Sequence, residues 1–405
     1  MTAVPRIAAG ALFCLFVLGL PAAHGATRGD NAYTPTRDAA VLAHVPTTTD
    51  PRVRAFEQLA REHEDHPRER TRALALSRAY IDYERHTGDA RFLGRAMAPI
   101  QPWLASASPP SDVQLVYATI LQSRHQFAQA RTTLKTLLKT DPENAQAWLT
   151  LATVDMVQGR FARARQDCVH AANTGGQSLA LVCNGDLLTL TGQADKAYRL
   201  LELLNSESTA LPADTGAYIQ GLLADAALRQ NKRDLAESHF KRGLALSPGD
   251  NFLLADYGDF LLDEHRYADV IDRLAPYSDS DTSFLRLVQA RVAQDAPNAA
   301  ASVAAMRQRF AAMDARGSHL YRREQASFVL HVLNAPERAL ALAKDNWQVQ
   351  RAPQDARIFL EAALAAGTPH VAAPVIAFLD RSGLNDPIID ALARQATAAP
   401  AGANP

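Results

Sequence analysis

Residues 145–175 read AQAWLTLATVDMVQGRFARARQDCVHAANTG, and their spacing decides the fold. Trp148, Leu151 and Ala152 in the first run, and Ala164, Cys168 and Ala171 in the second, recur at helical intervals. Gly159 separates the two runs, each of about thirteen residues. The expectation is a hairpin of two short amphipathic helices. Alanine at 152 and 164 lets the helices approach closely, while Trp148, Leu151 and Phe161 fill the space around the crossing.

Moving 34 residues toward the N-terminus gives SDVQLVYATILQSRHQFAQARTTLKTLLKTDPEN. Here Tyr117, Ala118, Phe127, Ala130, Leu134 and Pro142 take the places of Leu151, Ala152, Phe161, Ala164, Cys168 and Gly176 without a gap. The pattern goes on through Gly185, Gly192, Ala197 and Leu201, then Leu223, Ala224, Ala236, Phe240 and Pro248, then Tyr257, Gly258, Tyr267 and Leu274. Five hairpins are legible over residues 111–275; the period slips to 33 at the third, and the connection NSESTALPADTG after it is lengthened. This resembles the tetratricopeptide repeat, a 34-residue helix-turn-helix unit with small residues at the crossing and a proline closing the second helix. The resemblance implies an all-α fold, a right-handed α-solenoid.

The same grammar continues more faintly over residues 51–110 and 276–395. A repeat cannot bury its face alone, so these flanking hairpins are expected to cap the row, giving about nine or ten hairpins in one continuous superhelix. The connections 105–112, 277–283 and 315–318 are too short to separate independent domains. Residues 26–50 and the tail 396–405 are rich in Thr, Ala, Pro and Gly without period and are expected to be loosely ordered.

The first 25 residues carry one basic residue, Arg6, then an apolar run from Ala8 to Leu20, Pro21, and small residues with Ala23 and Gly25 at a cleavage-site spacing. This reads as a secretory signal peptide, with the mature chain starting near Ala26. Phe13 directly before Cys14 argues against lipoprotein processing. No second long apolar stretch follows, so no transmembrane segment is expected in the mature chain, and the expected location is periplasmic or secreted.

Over all 405 residues, 42 Lys plus Arg stand against 43 Asp plus Glu, a formal charge of -1, which gives no electrostatic reason to expect nucleic acid as a partner. The distribution is uneven. Between Ser178 and Leu285, 17 acidic residues face 9 basic ones, a balance of -8. In tetratricopeptide arrays the first helix of each hairpin lines the concave groove, and the resemblance puts Asp186, Asp225 and Asp259 at one place in three consecutive first helices. Asp263 follows one turn beyond Asp259. Tyr218, Phe252, Leu228 and Leu262 are expected to border these carboxylates, giving a groove suited to a basic, partly apolar peptide. For each Asp taken singly, the alternative is a solvated face that keeps the solenoid in solution. Family members that capture a C-terminal carboxylate use Lys, Asn and Arg, whereas the matching sites here include Leu115, Thr119, Thr150 and Asp225, so that clamp does not carry over. Arg52, Arg54, Arg61, Arg68, Arg70, Arg72 and Arg78 are interleaved with Glu57, Glu62, Glu64, Asp65 and Glu69 and read as a surface lattice of ion pairs.

Cys168 and Cys183 lie symmetrically about the turn NTGGQ, in helices expected to be antiparallel neighbours. They are either joined in a disulfide, which an exported compartment permits, or packed as two small apolar thiols. His63 and His66 share a helical face, but Pro67 ends that helix and no second cluster is near, so a solvated helix end is expected rather than a metal site. No GxSxG elbow, P-loop, GxGxxG fingerprint or CxxC pair occurs. The expectation is an exported non-catalytic scaffold, without cofactor or metal, holding a protein or peptide partner in its concave groove. The alternative is a structural subunit of a cell-envelope secretion or polysaccharide-export assembly. An enzyme with a site assembled across hairpins stands third.

Overall fold

In a computed structural model the described residues are 50–207, 212–318 and 320–398. The expected signal peptide, the stretch before Asp50 and the end of the tail lie outside them. Among the described residues there are twenty α-helices and no strand. Asp50 caps α1 (Pro51–Asp65) by accepting the Arg52 amide. Hairpins follow: α2 (Arg70–Thr87) with α3 (Arg91–Leu104), α4 (Ser111–Ser123) with α5 (Phe127–Thr140), α6 (Ala145–Val157) with α7 (Phe161–Asn173), and α8 (Gln177–Leu190) with α9 (Ala194–Glu207). Then come α10 (Ala213–Arg229) with α11 (Arg233–Leu246), α12 (Asn251–Asp263) with α13 (Tyr267–Leu274), α14 (Asp281–Ala293) with α15 (Ala299–Ala315), and α16 (Arg322–His331) with α17 (Pro336–Val349). The chain closes with α18 (Pro353–Ala365), a short 3-10 turn, α19 (Ala373–Ser382) and α20 (Pro387–Ala398). Helix α20 takes in residues 396–398, which the composition had placed in a loose tail, because Ile389 and Ala396 on one of its faces are buried.

Six consecutive hairpins, from α4/α5 to α14/α15, turn in one way. A backbone amide one residue before the second helix, or three before it in the last hairpin, reaches the carbonyl five residues back: Gln126 to Leu121 (2.8 Å), Arg160 to Asp155 (2.7 Å), Gln193 to Leu188, Lys232 to Ala227, Arg266 to Leu261 and Ala296 to Arg291 (each 2.9 Å). The residue just before each donor is left-handed: His125, Gly159, Gly192, Asn231, His265 and Asp295. This is the six-to-one bond that satisfies end carbonyls at a helix C-terminus. Only two of the six are glycine, so the uniformity of the turn is hidden in the sequence.

The helix crossings follow the small residues. Ala118, Ala152 and Ala224 in the first helices, and Ala130, Ala164, Ala197 and Ala236 in the second, are fully buried. At Gly185 the approach is closer still, since a Cβ there would lie 2.7 Å from Leu201 Cδ2. Buried apolar side chains form clusters that pass along the row from α2–α4 to α4–α6, α8–α10 and α10–α14. Such nearest-neighbour burial is what makes a repeat array stable.

One cluster breaks this rule. It joins Ala152, Met156, Phe161, Ala164, Cys168, Cys183, Leu187 and Leu190 of α6–α8 to residues of α14–α20. The last hairpins therefore cross back over the row instead of only extending it. Their contacts fall on the ends of four consecutive first helices. The Arg351 amide donates to Val157 O (2.8 Å), and the Asn385 amide to Leu190 O (3.0 Å). Arg229 ion-pairs with Asp386 (3.5 Å) and donates to Asn385 O, and Arg357 holds Asp263 through two bonds of 2.6 and 2.7 Å. The Phe378 ring packs on Phe161 with centroids 6.4 Å apart and on Trp347 at 5.2 Å. Gly159 makes this docking possible: its φ is +70°, and a Cβ would stand 2.3 Å from Phe378 Cε2. From the other end, α2 packs against α12, and the Tyr321 hydroxyl donates to Gly88 O at 2.7 Å.

Candidate protein-binding face

The first helices α8, α10 and α12 carry two parallel rows. Six residues before the small crossing residues Gly185, Ala224 and Gly258 stand Leu179, Tyr218 and Phe252, and one residue after them stand Asp186, Asp225 and Asp259. Seven residues of helix place the rows about 10 Å apart along the axis. Leu179, Tyr218 and Phe252 are 42, 51 and 60 % exposed, an unusual state for large apolar side chains in register on neighbouring helices. Leu228 and Leu262, expected in the groove, instead lie half-buried against the α10–α14 core.

The acidic row is mostly satisfied from within. Asp225 accepts from Arg229 Nε at 3.0 and 3.2 Å on the same helix. Asp259 receives Arg286 of the next hairpin at 2.8 and 2.6 Å, and Asp263 receives Arg357 from α18. The guanidiniums of Arg229 and Arg286 are nearly inaccessible, 4 and 10 % exposed as side chains, while Asp225 and Asp259 keep 39 and 37 %. The carboxylates thus remain wet on one edge while their charge is taken up on the other. Three of the four expected acidic teeth, Asp225, Asp259 and Asp263, are therefore each paired with an arginine, and Arg286 and Arg357 come from beyond the acidic segment in sequence.

Asp186 differs. Its one hydrogen bond comes from the Tyr218 hydroxyl (3.3 Å), and enclosure by protein, followed by the neighbouring Asp225, pushes its pKa up to about 6. Asp256, which sequence reasoning passed over, lies one turn after Phe252 on the same face. It is exposed to water yet ringed by protein, has no hydrogen bond or ion pair among the described residues, and is pushed up to about 7 by that enclosure and then by Asp259. The signal for Leu179 was also present in the sequence, since it shares the repeat position of Tyr218 and Phe252. Asp256 had no such signal, because what distinguishes it is the absence of a partner.

Cys168 and Cys183 are joined in a disulfide with Cα atoms 6.0 Å apart, tying α7 to α8. His66 ends α1, its amide bonded to His63 O at 3.1 Å, and no group of three or more His, Cys, Asp or Glu side chains able to hold a metal ion occurs among the described residues. No helix among them is long and apolar enough to cross a membrane.

Comparison with known proteins agrees with the repeat spacing. The family model named tetratricopeptide repeat matches residues 121–166, which run from the end of α4 through α5 and α6 into the first half of α7. No curated protein matches this sequence. Among solved structures, Pseudomonas aeruginosa PilF is similar at 19 % identity, with 54 % of this chain and 97 % of that chain covered and a TM-score of 0.38. PilW, a type IV pilus biogenesis factor, is similar at 16 % identity, covering 50 % of this chain and 95 % of that one with a TM-score of 0.40. Yeast Tom70 is similar at 11 % identity over 86 % of this chain and 85 % of that one, again with a TM-score of 0.40. Likeness at this level bears on neither partner nor pathway. The 34-residue spacing, the small residues at each crossing, the shared turn and the matched motif together make the helical hairpins of this chain an α-solenoid of tetratricopeptide-repeat type.

Proposed function

We propose that the protein is an exported, non-catalytic scaffold that takes a segment of a partner protein on the face formed by α8, α10 and α12. The observation that carries this reading is the row Leu179, Tyr218 and Phe252, held open to water in register on three neighbouring helices. A chain that buries its apolar residues elsewhere gains nothing by exposing these, and rigid aromatic side chains are the usual anchors of protein recognition. The half-accessible carboxylates beside them favour a partner segment with basic character and disfavour an acidic one. Export rests on the apolar run near the N-terminus, and the Cys168–Cys183 bond is consistent with an oxidising compartment.

The experiment is a gentle crosslinking of the tagged protein in envelope and periplasmic extracts, followed by mass spectrometry, with the Tyr218→Ser/Phe252→Ser variant in parallel. Loss of the same captured protein in the double variant, at unchanged melting temperature, supports the proposed face. Equal capture by both rejects it. Recovery of an integral-membrane complex that ignores the double substitution favours the structural-subunit reading, in which the edges of the array make the contacts. Replacing Asp225 and Asp259 is a poorer test, since each substitution also strands a nearly inaccessible arginine.

A further inference from the structure

Three observations converge on α10 and α12. Tyr218 and Phe252 occupy the same repeat position on adjacent first helices, and they are the two aromatic residues among the exposed large apolar side chains of the described chain. Asp256 stands one turn from Phe252 on the same helix face and has neither hydrogen bond nor ion pair among the described residues. Asp186 is bonded only to the neutral hydroxyl of Tyr218, while Asp225, Asp259 and Asp263 each hold a guanidinium. One carboxyl group without a partner, Asp256, therefore adjoins the open ring of Phe252, and Asp186 adjoins Tyr218.

Resting on the reading that a protein segment enters this face, we propose that its anchor is a single arginine or lysine side chain. It lies on the exposed ring of Phe252 beside Tyr218, with its charge on Asp256. Residues four apart on a helix face have Cβ atoms about 5–6 Å apart, so a cation whose stem rests on the Phe252 ring reaches the Asp256 carboxylate, whose charge also acts on Tyr218. The ring faces attract the cation and desolvate it, and the Asp256 carboxylate, which no internal arginine neutralises, supplies the opposite charge.

The inner charges fix the sign of the pH dependence. Asp256 faces Asp225 from α10, Asp259 from its own helix, Arg286 from α14 and Arg323 from α16. Arg286 is held by Asp259, and Arg323 by Glu324 at 2.8 Å with Asp355 at 3.6 Å, so neither is free to compensate Asp256. Asp186 faces Asp225 and Arg229, and Tyr218 faces Arg85 of α2. The Asp256 carboxyl is pushed up to about 7, so a cation bound to its ionised form displaces a proton, and binding strengthens as pH rises from about 5.5 to 8.

The test is selection of a random 12-residue phage-displayed peptide library on the full chain and on its Asp256→Asn variant, followed by titration of one enriched peptide at pH 5.5 and 8. The proposal expects a recurrent Arg or Lys among apolar residues in the wild-type pool. That cationic position is lost, with the apolar ones kept, in the Asp256→Asn pool. Replacing the cationic residue in the enriched peptide by norleucine should weaken it about tenfold at pH 8 and remove most of its pH dependence. Enriched peptides that need Tyr218 and Phe252 but show no cationic position overturn the anchor and leave the binding face standing. Failure to enrich any peptide that depends on Tyr218 and Phe252 overturns the anchor and the proposed face together.

Discussion

The hairpins over residues 111–275 and those over 276–398 obey the same helix grammar but are held by different contacts. In the first region each helix rests on its sequence neighbours, and the burial of Ala118, Ala130, Ala152 and Ala164 repeats at a fixed interval. In the second, the decisive contacts reach across the chain: Phe378 to Phe161, Arg357 to Asp263, and the Asn385 amide to Leu190 O. The comparison teaches that a solenoid with a legible repeat can still fold as a closed unit when its end turns back on its middle. It also shows why the acidic face is less charged than its composition, since part of the neutralising arginine set arrives with the returning end.

The sharpest way to break the comparison is to remove the plug between the regions. Phe378→Ala is expected to cost about 3–5 kcal/mol, because the ring is buried against Phe161 and Trp347 and leaves a cavity. Urea unfolding would measure it. Hydrogen exchange should locate the loss at the Arg351 and Asn385 amides before the central hairpins respond, and a uniform loss along the whole array would show that the two regions are not separable.

A staple within the row comes next. Replacing Cys168 and Cys183 by serine should lower stability by about 3 kcal/mol, the order expected for releasing a loop of this length. The denaturant midpoint should fall, with a slope unchanged or steeper because the released chain is more open when unfolded, and an unchanged midpoint would show that the bond adds no stability.

Smaller effects sharpen the electrostatic half of the comparison. Arg357→Met removes the grip on Asp263 and is expected to cost about 1–2 kcal/mol, since both partners are mostly out of water. Arg199→Met breaks only an exposed pair with Asp195 on α9 and should leave the melting temperature unchanged. Equal losses from the two would mean that the returning end is not clamped by charge.

The smallest expected effects are in pH. Glu237 is held near 2 by the Arg266 and Lys241 charges and the Tyr257 hydroxyl, so its folded pKa lies below its unfolded one. Its contribution is present above pH 4.5 and fades as pH falls toward 2. Asp256 and Asp186 have the opposite sign, with folded pKa values raised to about 7 and 6, so the strain of ionising them appears as pH rises from 4 through 7. Asp256→Asn should therefore lose less melting temperature than the wild type as pH rises from 5 to 8. An unchanged slope in that variant would show that Asp256 does not ionise under strain.

The sequence by itself determined the repeat. A 34-residue interval of large and small apolar residues admits one way of burying both faces of each hairpin, and local packing between neighbours is enough to enforce it. It also put Tyr218, Phe252, Asp186, Asp225 and Asp259 at shared positions, because position within a repeat survives folding. Only the tertiary structure decided which of those carboxylates are free. Arg286 approaches Asp259 from 27 residues away and Arg357 approaches Asp263 from 94, and no periodic signal links such partners. It alone decided that Asp256 has none, and that Gly159 serves two ends: a left-handed turn within its own hairpin and the space for a phenylalanine from the far end of the chain. Periodicity reports contacts that recur at a fixed separation, whereas the returning end makes each of its contacts once.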